Sequence, residues 1–360
     1  MRLLVDISAL PDNAKWDTGL AKYSLACLSG FAQLGLKDIT VLCTNNRKRA
    51  LETLFPLFNI LSFKRFQLLI DSFRWRRSIR KSNCDVVFFP ILGKKFDFIK
   101  TNKPFVQTIH DLQLYKVTRP YSSYITKRFL LPWRIRRANK IIAISEYTKG
   151  DILSFFKALP EDRVVVIHNG VLVPEIGNTP VTERPYILTV NSLMKYKNLS
   201  TLLRAFALIK DRIPHDLILV GKETEYWKKD LSNYIIANGL EGRVKRLDNL
   251  NEESLWGLYK AADVFVTTSL MEGFGYTPVE AAIAGTKVIS TKETALPEST
   301  MGLVYYYEPA TDPLTLSKKI LEVLDLEDVD KRESISRELI KEYDPVTKAR
   351  EIYSLLESLV

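Results

Sequence analysis

The chain has 360 residues, an apolar fraction of 46% and a net charge of +10, which suits two folded domains with separate cores and excludes a large disordered part. No apolar run reaches the roughly 18 residues needed to span a bilayer, and the three cysteines, Cys27, Cys43 and Cys84, lack metal-ligand spacing and read as reduced core residues. The charge is uneven: through residue 170 there are 29 Lys and Arg against 13 Asp and Glu, and after it 23 against 29, so the first half is expected to face something anionic, such as a membrane surface or an acidic substrate.

Met1 to Ile7 opens the chain as a strand pattern rather than a signal peptide, which predicts a cytosolic protein. Short apolar runs follow at Leu3–Ile7, Ile39–Cys43, Val86–Pro90, Phe105–Ile109, Ile141–Ile144 and Val164–Ile167. Runs of that length suit strands buried on both faces, as in a parallel sheet. Helical stretches such as Leu20–Leu34 lie between them. Two basic stretches, Phe63–Lys81 and Tyr121–Lys140, interleave arginines with Phe66, Leu69, Phe73 and Trp75 in the first, and with Tyr124, Phe129, Leu130 and Trp133 in the second. A helix of that pattern can lie on an anionic membrane. No recognised nucleic-acid motif accompanies the charge, so nucleic acid is not expected as a partner.

Gly170 to Arg184 holds Pro174, Gly177, Asn178 and Pro180 without periodicity and reads as a linker. The strand–helix alternation then resumes with strands at Tyr186–Val190, Leu217–Gly221, Val244–Leu247, Val264–Thr268, Val288–Ser290 and Leu303–Tyr306, and ends in a helix over Pro345–Leu359. Twofold alternation predicts two doubly wound α/β domains. Their expected limits are 1–170 and 185–342, with 171–184 as linker and 343–360 as C-terminal helix. Open sheets of this kind bind ligands at the carboxyl ends of their strands.

The stretch with the most chemistry runs from Glu272 to Gly285. It follows an apolar strand, carries Gly273 and Gly275, and opens a helix with Thr277 as the expected N-cap and Pro278 at the first helical position. Strand, glycine loop and helix N-terminus together present unpaired backbone N–H groups to an anion. Glu272 and Glu280 flank the loop with seven residues between them. Glu280 also fits a capping box counted from Thr277. Lys197, before Asn198 and the helix Leu199–Ile209, stands at a second helix entrance, with Asn198 as its expected cap. His110 stands at the carboxyl end of Phe105–Ile109, where a packed structural histidine and a site residue are both compatible with the pattern. His168 and His215 read as structural. Asp328-Val329-Asp330 lies in an acidic stretch with no preceding strand and reads as a solvated surface rather than a metal site.

Glu272-Gly-Phe-Gly-Tyr-Thr-Pro-Val-Glu280 resembles the Glu-x7-Glu signature of retaining glycosyltransferases of the GT-B fold, family 4 type. The resemblance covers nearly the whole chain. Thr18-Gly19-Leu20-Ala21-Lys22-Tyr23, Ile109-His110-Asp111, Ala143-Ile144-Ser145-Glu146-Tyr147, His168-Asn169-Gly170-Val171 and Asn191-Ser-Leu-Met-Lys-Tyr-Lys197-Asn198 are similar to further words of that family, in the same order. It implies two Rossmann-like domains facing a cleft, with the C-terminal helix returning to the first. It also implies a nucleotide-sugar donor as co-substrate, no metal or other cofactor, and a lipid-linked or oligosaccharide acceptor.

By the same resemblance Glu280 holds the nucleotide ribose, Glu272 the donor sugar, and the backbone from Phe274 through Gly275 to Tyr276 the sugar hydroxyls and phosphate. Lys197 neutralises the diphosphate, Gly19 lets its loop close on the donor, and His110 lines the sugar pocket. Asn191, Ser192 and Thr277 complete the donor-binding set. The sequence departs from the family where an arginine is often found, at Ser192 or Tyr196, leaving Lys197 and Lys195 for the diphosphate. The implied function is sugar transfer from a nucleotide donor, with GDP-mannose the first candidate, in surface-polysaccharide assembly. A nucleotide-sugar epimerase, another enzyme on the same fold, and a non-enzymatic sugar-nucleotide binder are the alternatives.

Overall fold

The computed structural model describes residues 1–12, 16, 18–64, 75, 77–92, 102–116, 131–175 and 184–360. The chain divides into one unit made of Met1–Leu172 with Tyr343–Val360, and a second made of Val173–Glu342.

The first unit is built on β1 (Leu3–Asp6), β2 (Ile39–Thr44), β3 (Asn59–Phe63), β4 (Val86–Phe89), β5 (Phe105–Ile109), β6 (Lys140–Ala143) and β7 (Val164–Val166). The strands pair in the order β3-β2-β1-β4-β5-β6-β7, parallel throughout. Every residue of β1, β2, β4 and β5 is buried, the physical counterpart of their unbroken apolar runs. β3 lay outside the expected strands. It is an edge strand with an exposed Asn59 and a half-buried Ser62, so it lacks the continuous apolar signal.

Two helices between these strands begin at a side-chain cap. Thr18 caps α1 (Gly19–Gln33), its Oγ1 accepting from Ala21 N–H. α2 (Asn45–Leu54) and the short α3 (Leu131–Arg137) follow, and Ser145 caps α4 (Glu146–Phe155) by accepting from Thr148 N–H at 3.1 Å.

The second unit is also parallel, with β8 (Tyr186–Val190), β9 (Asp216–Val220), β10 (Val244–Leu247), β11 (Val264–Val266), β12 (Lys287–Thr291) and β13 (Tyr305–Tyr307) in the order β10-β9-β8-β11-β12-β13. Around it stand α5 (Leu199–Ile209), α6 (Glu252–Ala261), α7 (Tyr276–Ile283), α8 (Pro313–Leu324) and α9 (Val329–Glu342). Leu202, Phe206, Val264, Ile289, Leu316 and Ile320 form one fully buried cluster between sheet and helices. Each such side chain contributes about 1.5–3 kcal/mol by leaving water. In both sheets the strand order reverses once, between β1 and β4 and between β8 and β11. Loops diverge at such a reversal and leave a crevice at the carboxyl edge.

α10 (Pro345–Glu357) belongs to the first unit, as expected of the C-terminal helix. Asp344 caps it, accepting from Thr347 N–H at 2.8 Å. It lies so close to α1 that a Cβ on Gly30 would stand 2.3 Å from Pro345 O and 2.5 Å from the Ala349 Cβ. Cys27, Cys43 and Cys84 are buried thiols.

Two parts of the basic-stretch reading are corrected. Trp75 is 3% exposed and donates its indole N–H to the buried Asp6 at 2.5 Å. Arg134 is 5% exposed, donates to Gln107 Oε1 at 2.5 Å and stacks over Phe89. Both are core groups rather than lipid-facing ones, because each finds a buried polar partner inside the sheet. Trp133, Arg136 and Arg137 are exposed, with Arg137 over the Trp133 ring, and so are Arg77, Arg80 and Lys81. Residues 65–74, 76 and 117–130, including Phe66, Leu69, Phe73, Tyr124, Phe129 and Leu130, lie outside the described residues.

Candidate functional site

In the second unit the loops leaving β8 and β11 meet at the strand reversal. After β8 the chain makes an Asx turn, Asn191 Oδ1 accepting from Leu193 N–H at 2.9 Å. Its backbone passes so near β9 that a Cβ on Gly221 would lie 2.2 Å from Asn191 O. Ser192 is exposed. A single 3-10 turn, Lys195–Lys197, follows, then Asn198 at φ 54° and α5. Asn198 occupies the N-cap position without making a side-chain cap. Its amide donates to Ala310 O and its Oδ1 accepts from Thr201 Oγ1, each at 2.9 Å. The left-handed backbone turns the side chain away from the N–H groups it was expected to satisfy.

After β11 the chain runs past Glu272 into α7. This loop is stitched to the β8 loop by Leu270 N–H to Tyr196 O at 2.9 Å and Thr268 Oγ1 to Lys197 O at 2.7 Å. On that frame the Lys197 ammonium meets the Glu272 carboxylate at 2.5 Å, with side-chain exposures of 12% and 15%. The two elements that carry the strongest motifs are thus joined by an ion pair across the strand reversal.

The start of α7 differs from the expectation. The helix begins at Tyr276, with Gly275 as N-cap at φ 92° and no side-chain cap. Thr277 is therefore inside the first turn, and the capping box with Glu280 does not form. A Cβ at residue 275 would meet Leu296 Cδ2 at 2.7 Å. Glycine is required there twice over, by backbone angle and by space. No side-chain cap hydrogen bond closes the N-terminus of α7, the end at which the helix dipole is positive.

Glu280 is 2% exposed and accepts a hydrogen bond from Tyr259 OH at 2.9 Å. Burial first, then the Glu280 charge, drive the Tyr259 phenol well above its ordinary range, so Tyr259 stays a donor. Phe274 is buried edge-to-face against Tyr276 at 5.2 Å. Lys195 is exposed over the Tyr226 ring.

The first unit carries the remaining expected residues at its own carboxyl edge. His110, after β5, pairs its Nε2 with Pro90 O at 2.8 Å and packs edge-to-face on Tyr23 at 4.7 Å. A carbonyl partner makes Nε2 the protonated nitrogen. Burial pushes the His110 pKa down to about 4, so the ring is neutral near pH 7. Gly19 is the exposed first residue of α1. The structure thus brings Asn191, Lys197, Glu272 and Gly275 together on two adjoining loops and places His110 and Gly19 in the other unit. His168 packs against Tyr343, and His215 lies 3.4 Å from Asp263. Asp328 accepts from Tyr305 OH and pairs with Arg332. Among the described residues no cluster of His, Cys, Asp and Glu could hold a metal ion.

Sequence reasoning missed two partners. Tyr259 sits in the apolar pattern of α6 and reads as plain core. Thr294, whose Oγ1 accepts from Glu272 N–H at 2.9 Å, lies outside any recognised word.

Two family models meet end to end on the chain. Residues 18–173 match Glycosyltransferase Family 4 and residues 176–342 match Glycosyl transferases group 1. The O-antigen chain mannosyltransferase B of Escherichia coli is 27% identical over 260 residues, 66% of this chain and 67% of that one. The GDP-mannose:cellobiosyl-diphosphopolyprenol alpha-mannosyltransferase of Xanthomonas oryzae is 31% identical over 150 residues, 41% and 38% of the two chains. The chain therefore spans about two thirds of the first relative and well under half of the second. An Anabaena protein solved in complex with UDP-glucose superposes with a TM-score of 0.75 over 99% of both chains at 20% identity, which places this chain in the same two-domain GT-B fold.

Proposed function

We propose a sugar transfer for this chain, which belongs to the group 1 glycosyl transferases of glycosyltransferase family 4. The donor is a nucleotide sugar, with GDP-mannose the first candidate, and the acceptor is a hydroxyl of a lipid-linked or oligosaccharide substrate in surface-polysaccharide assembly. The mannosyltransferase relatives support that choice of donor and pathway. The observation that carries the site is the Lys197–Glu272 pair at 2.5 Å across the strand reversal, beside the uncapped N-terminus of α7.

Breaking a glycosyl–phosphate bond loads negative charge on the departing diphosphate. A lysine ammonium and the positive end of a helix dipole, both part of the folded frame, stabilise that charge with little reorganisation at the moment of reaction. Lys197 takes the diphosphate, and Glu272 then accepts from hydroxyls of the donor sugar. Glu280, held by Tyr259, is assigned to the nucleotide ribose. Asn191, Ser192, Phe274, Gly275, Tyr276 and Thr277 are assigned to the rest of the donor. For His110 and Gly19 the assignment rests on motif resemblance alone. Neutral at working pH, His110 would meet the sugar as a hydrogen-bonding group, not as a cation.

The reaction is proposed to keep the configuration of the anomeric carbon and to need no divalent metal. Incubating the protein with GDP-mannose and a diphosphopolyprenol-linked oligosaccharide, with and without EDTA, tests both points. An α-linked mannoside formed equally in EDTA is the expected product. A β-linked product, or activity lost to EDTA and restored by magnesium, contradicts the respective half of the proposal.

A further inference from the structure

Thr294 has a backbone that its side chain disfavours. Its φ is 54°, in the left-handed region, where a β-branched residue is crowded against its own carbonyl. The other non-glycine residues with positive φ among those described are asparagines, Leu193 and Met301, none of them β-branched. A threonine in this conformation persists only where the surroundings over-determine it.

The surroundings are the Glu272 loop. Thr294 Oγ1 accepts from Glu272 N–H at 2.9 Å. Two residues on, Leu296 Cδ2 fills the space under Gly275 that a Cβ would otherwise take. Three residues back, Thr291 Oγ1 donates to Ser269 O at 2.9 Å. The segment Thr291–Leu296 therefore touches the loop at Ser269, Glu272 and Gly275, its start, middle and end. On the other side the same loop is held by the β8 loop through Tyr196, Lys197 and the ion pair.

We propose that Thr294 is a positioning residue: its hydroxyl fixes the Glu272 backbone so that the carboxylate stands where the donor sugar must be met, and this is what the strained backbone secures. The inference rests on the sugar-transfer reading above. Thr294 itself touches no reacting atom, since it acts on Glu272 through that residue's N–H. A purely structural threonine changed to glycine would move stability, through relieved strain and a lost hydrogen bond, without a separate loss of turnover.

The test compares wild type, Thr294→Gly and Thr294→Ser. Glycine removes the strain and the acceptor together, whereas serine keeps the hydroxyl and loses the branch. Melting temperature, affinity for GDP and turnover of GDP-mannose are read on each. The expectation is a Thr294→Gly protein that melts close to wild type, because relief of the strained backbone offsets the lost hydrogen bond. It should bind GDP as wild type does, because GDP has no sugar for Glu272, and turn over GDP-mannose about tenfold more slowly. Thr294→Ser should restore most of the turnover. Thr294→Gly with wild-type turnover overturns the proposal. So does a loss of turnover matched by equal losses of stability and GDP affinity. A wild-type protein that neither binds GDP nor consumes any sugar nucleotide overturns the functional reading instead.

Discussion

His110 shows how one side chain's surroundings set both its chemistry and its contribution to stability. Its ring packs edge-to-face on Tyr23 with Nε2–H on Pro90 O, and its folded pKa of about 4 lies below the ~6.5 of an unfolded histidine. The unfolded state therefore binds more protons between those values. The stabilisation is complete above about pH 6.5 and is lost as the pH falls toward about 4. Urea unfolding of wild type and His110→Gln at pH 7 and pH 5 isolates this share. The gap between the two proteins should shrink by about 1–2 kcal/mol at pH 5, and a gap independent of pH would show that the ring is not held neutral by the fold. The histidine's location after a strand was legible from sequence, but its neutrality was not, because Tyr23 and Pro90 are distant in the chain. The same limit applies to Glu280. Thr277-Pro-Val-Glu280 satisfies a capping box as a string, yet Gly275 takes the left-handed cap position and Tyr259 takes the carboxylate. The Lys197–Glu272 pair joins residues from two motifs that sequence could name but could not bring into contact.

Continuous apolar runs located nearly every strand of the two parallel sheets, because burial on both faces leaves little room for polar residues. β3 escaped because an edge strand is partly wetted. Helix packing was legible only as a face. The apolar positions of α10 predicted burial, whereas Gly30 as the point where α1 admits it follows from three-dimensional closeness. Two glycine-to-alanine changes separate propensity from packing. In a helix interior alanine is favoured over glycine by about 1 kcal/mol. Gly150, in α4, has no atom within 4 Å of an added Cβ, so Gly150→Ala should raise stability by about that amount. At Gly30 the added Cβ meets backbone and Cβ atoms of α10 at 2.3 and 2.5 Å, neither of which can rotate away. Overpacking of that kind costs about 1–3 kcal/mol, so Gly30→Ala should lower the melting temperature despite the better helix former. Thermal melts of both variants check the signs, and a stabilised Gly30→Ala would mean that α10 does not dock as described.

At the scale of the whole molecule the charge asymmetry remains the feature least absorbed by the fold. The cations through residue 170 outnumber the anions by 29 to 13, and Arg77, Arg80, Lys81, Arg136 and Arg137 are exposed. No helix among the described residues is long and apolar enough to cross a membrane. A lipid-linked acceptor would be met at a surface, where each basic residue contributes about 1 kcal/mol on anionic lipid. Vesicle sedimentation should recover the protein with anionic but not neutral lipid, and the binding should fade as salt screens the charge. Equal supernatant fractions with both lipids at low salt would remove the membrane from the account and leave sugar transfer intact.

Calorimetric titration tests most directly whether the crevice between the β8 and β11 loops holds a nucleotide sugar. GDP-mannose would be titrated into the full chain and into Lys197→Ala and Glu280→Ala. Saturable binding is expected for wild type and at least tenfold weaker binding for each variant, about 1.4 kcal/mol or more, with melting temperatures showing that both remain folded. Wild-type affinity retained in both folded variants would contradict a donor site in that crevice.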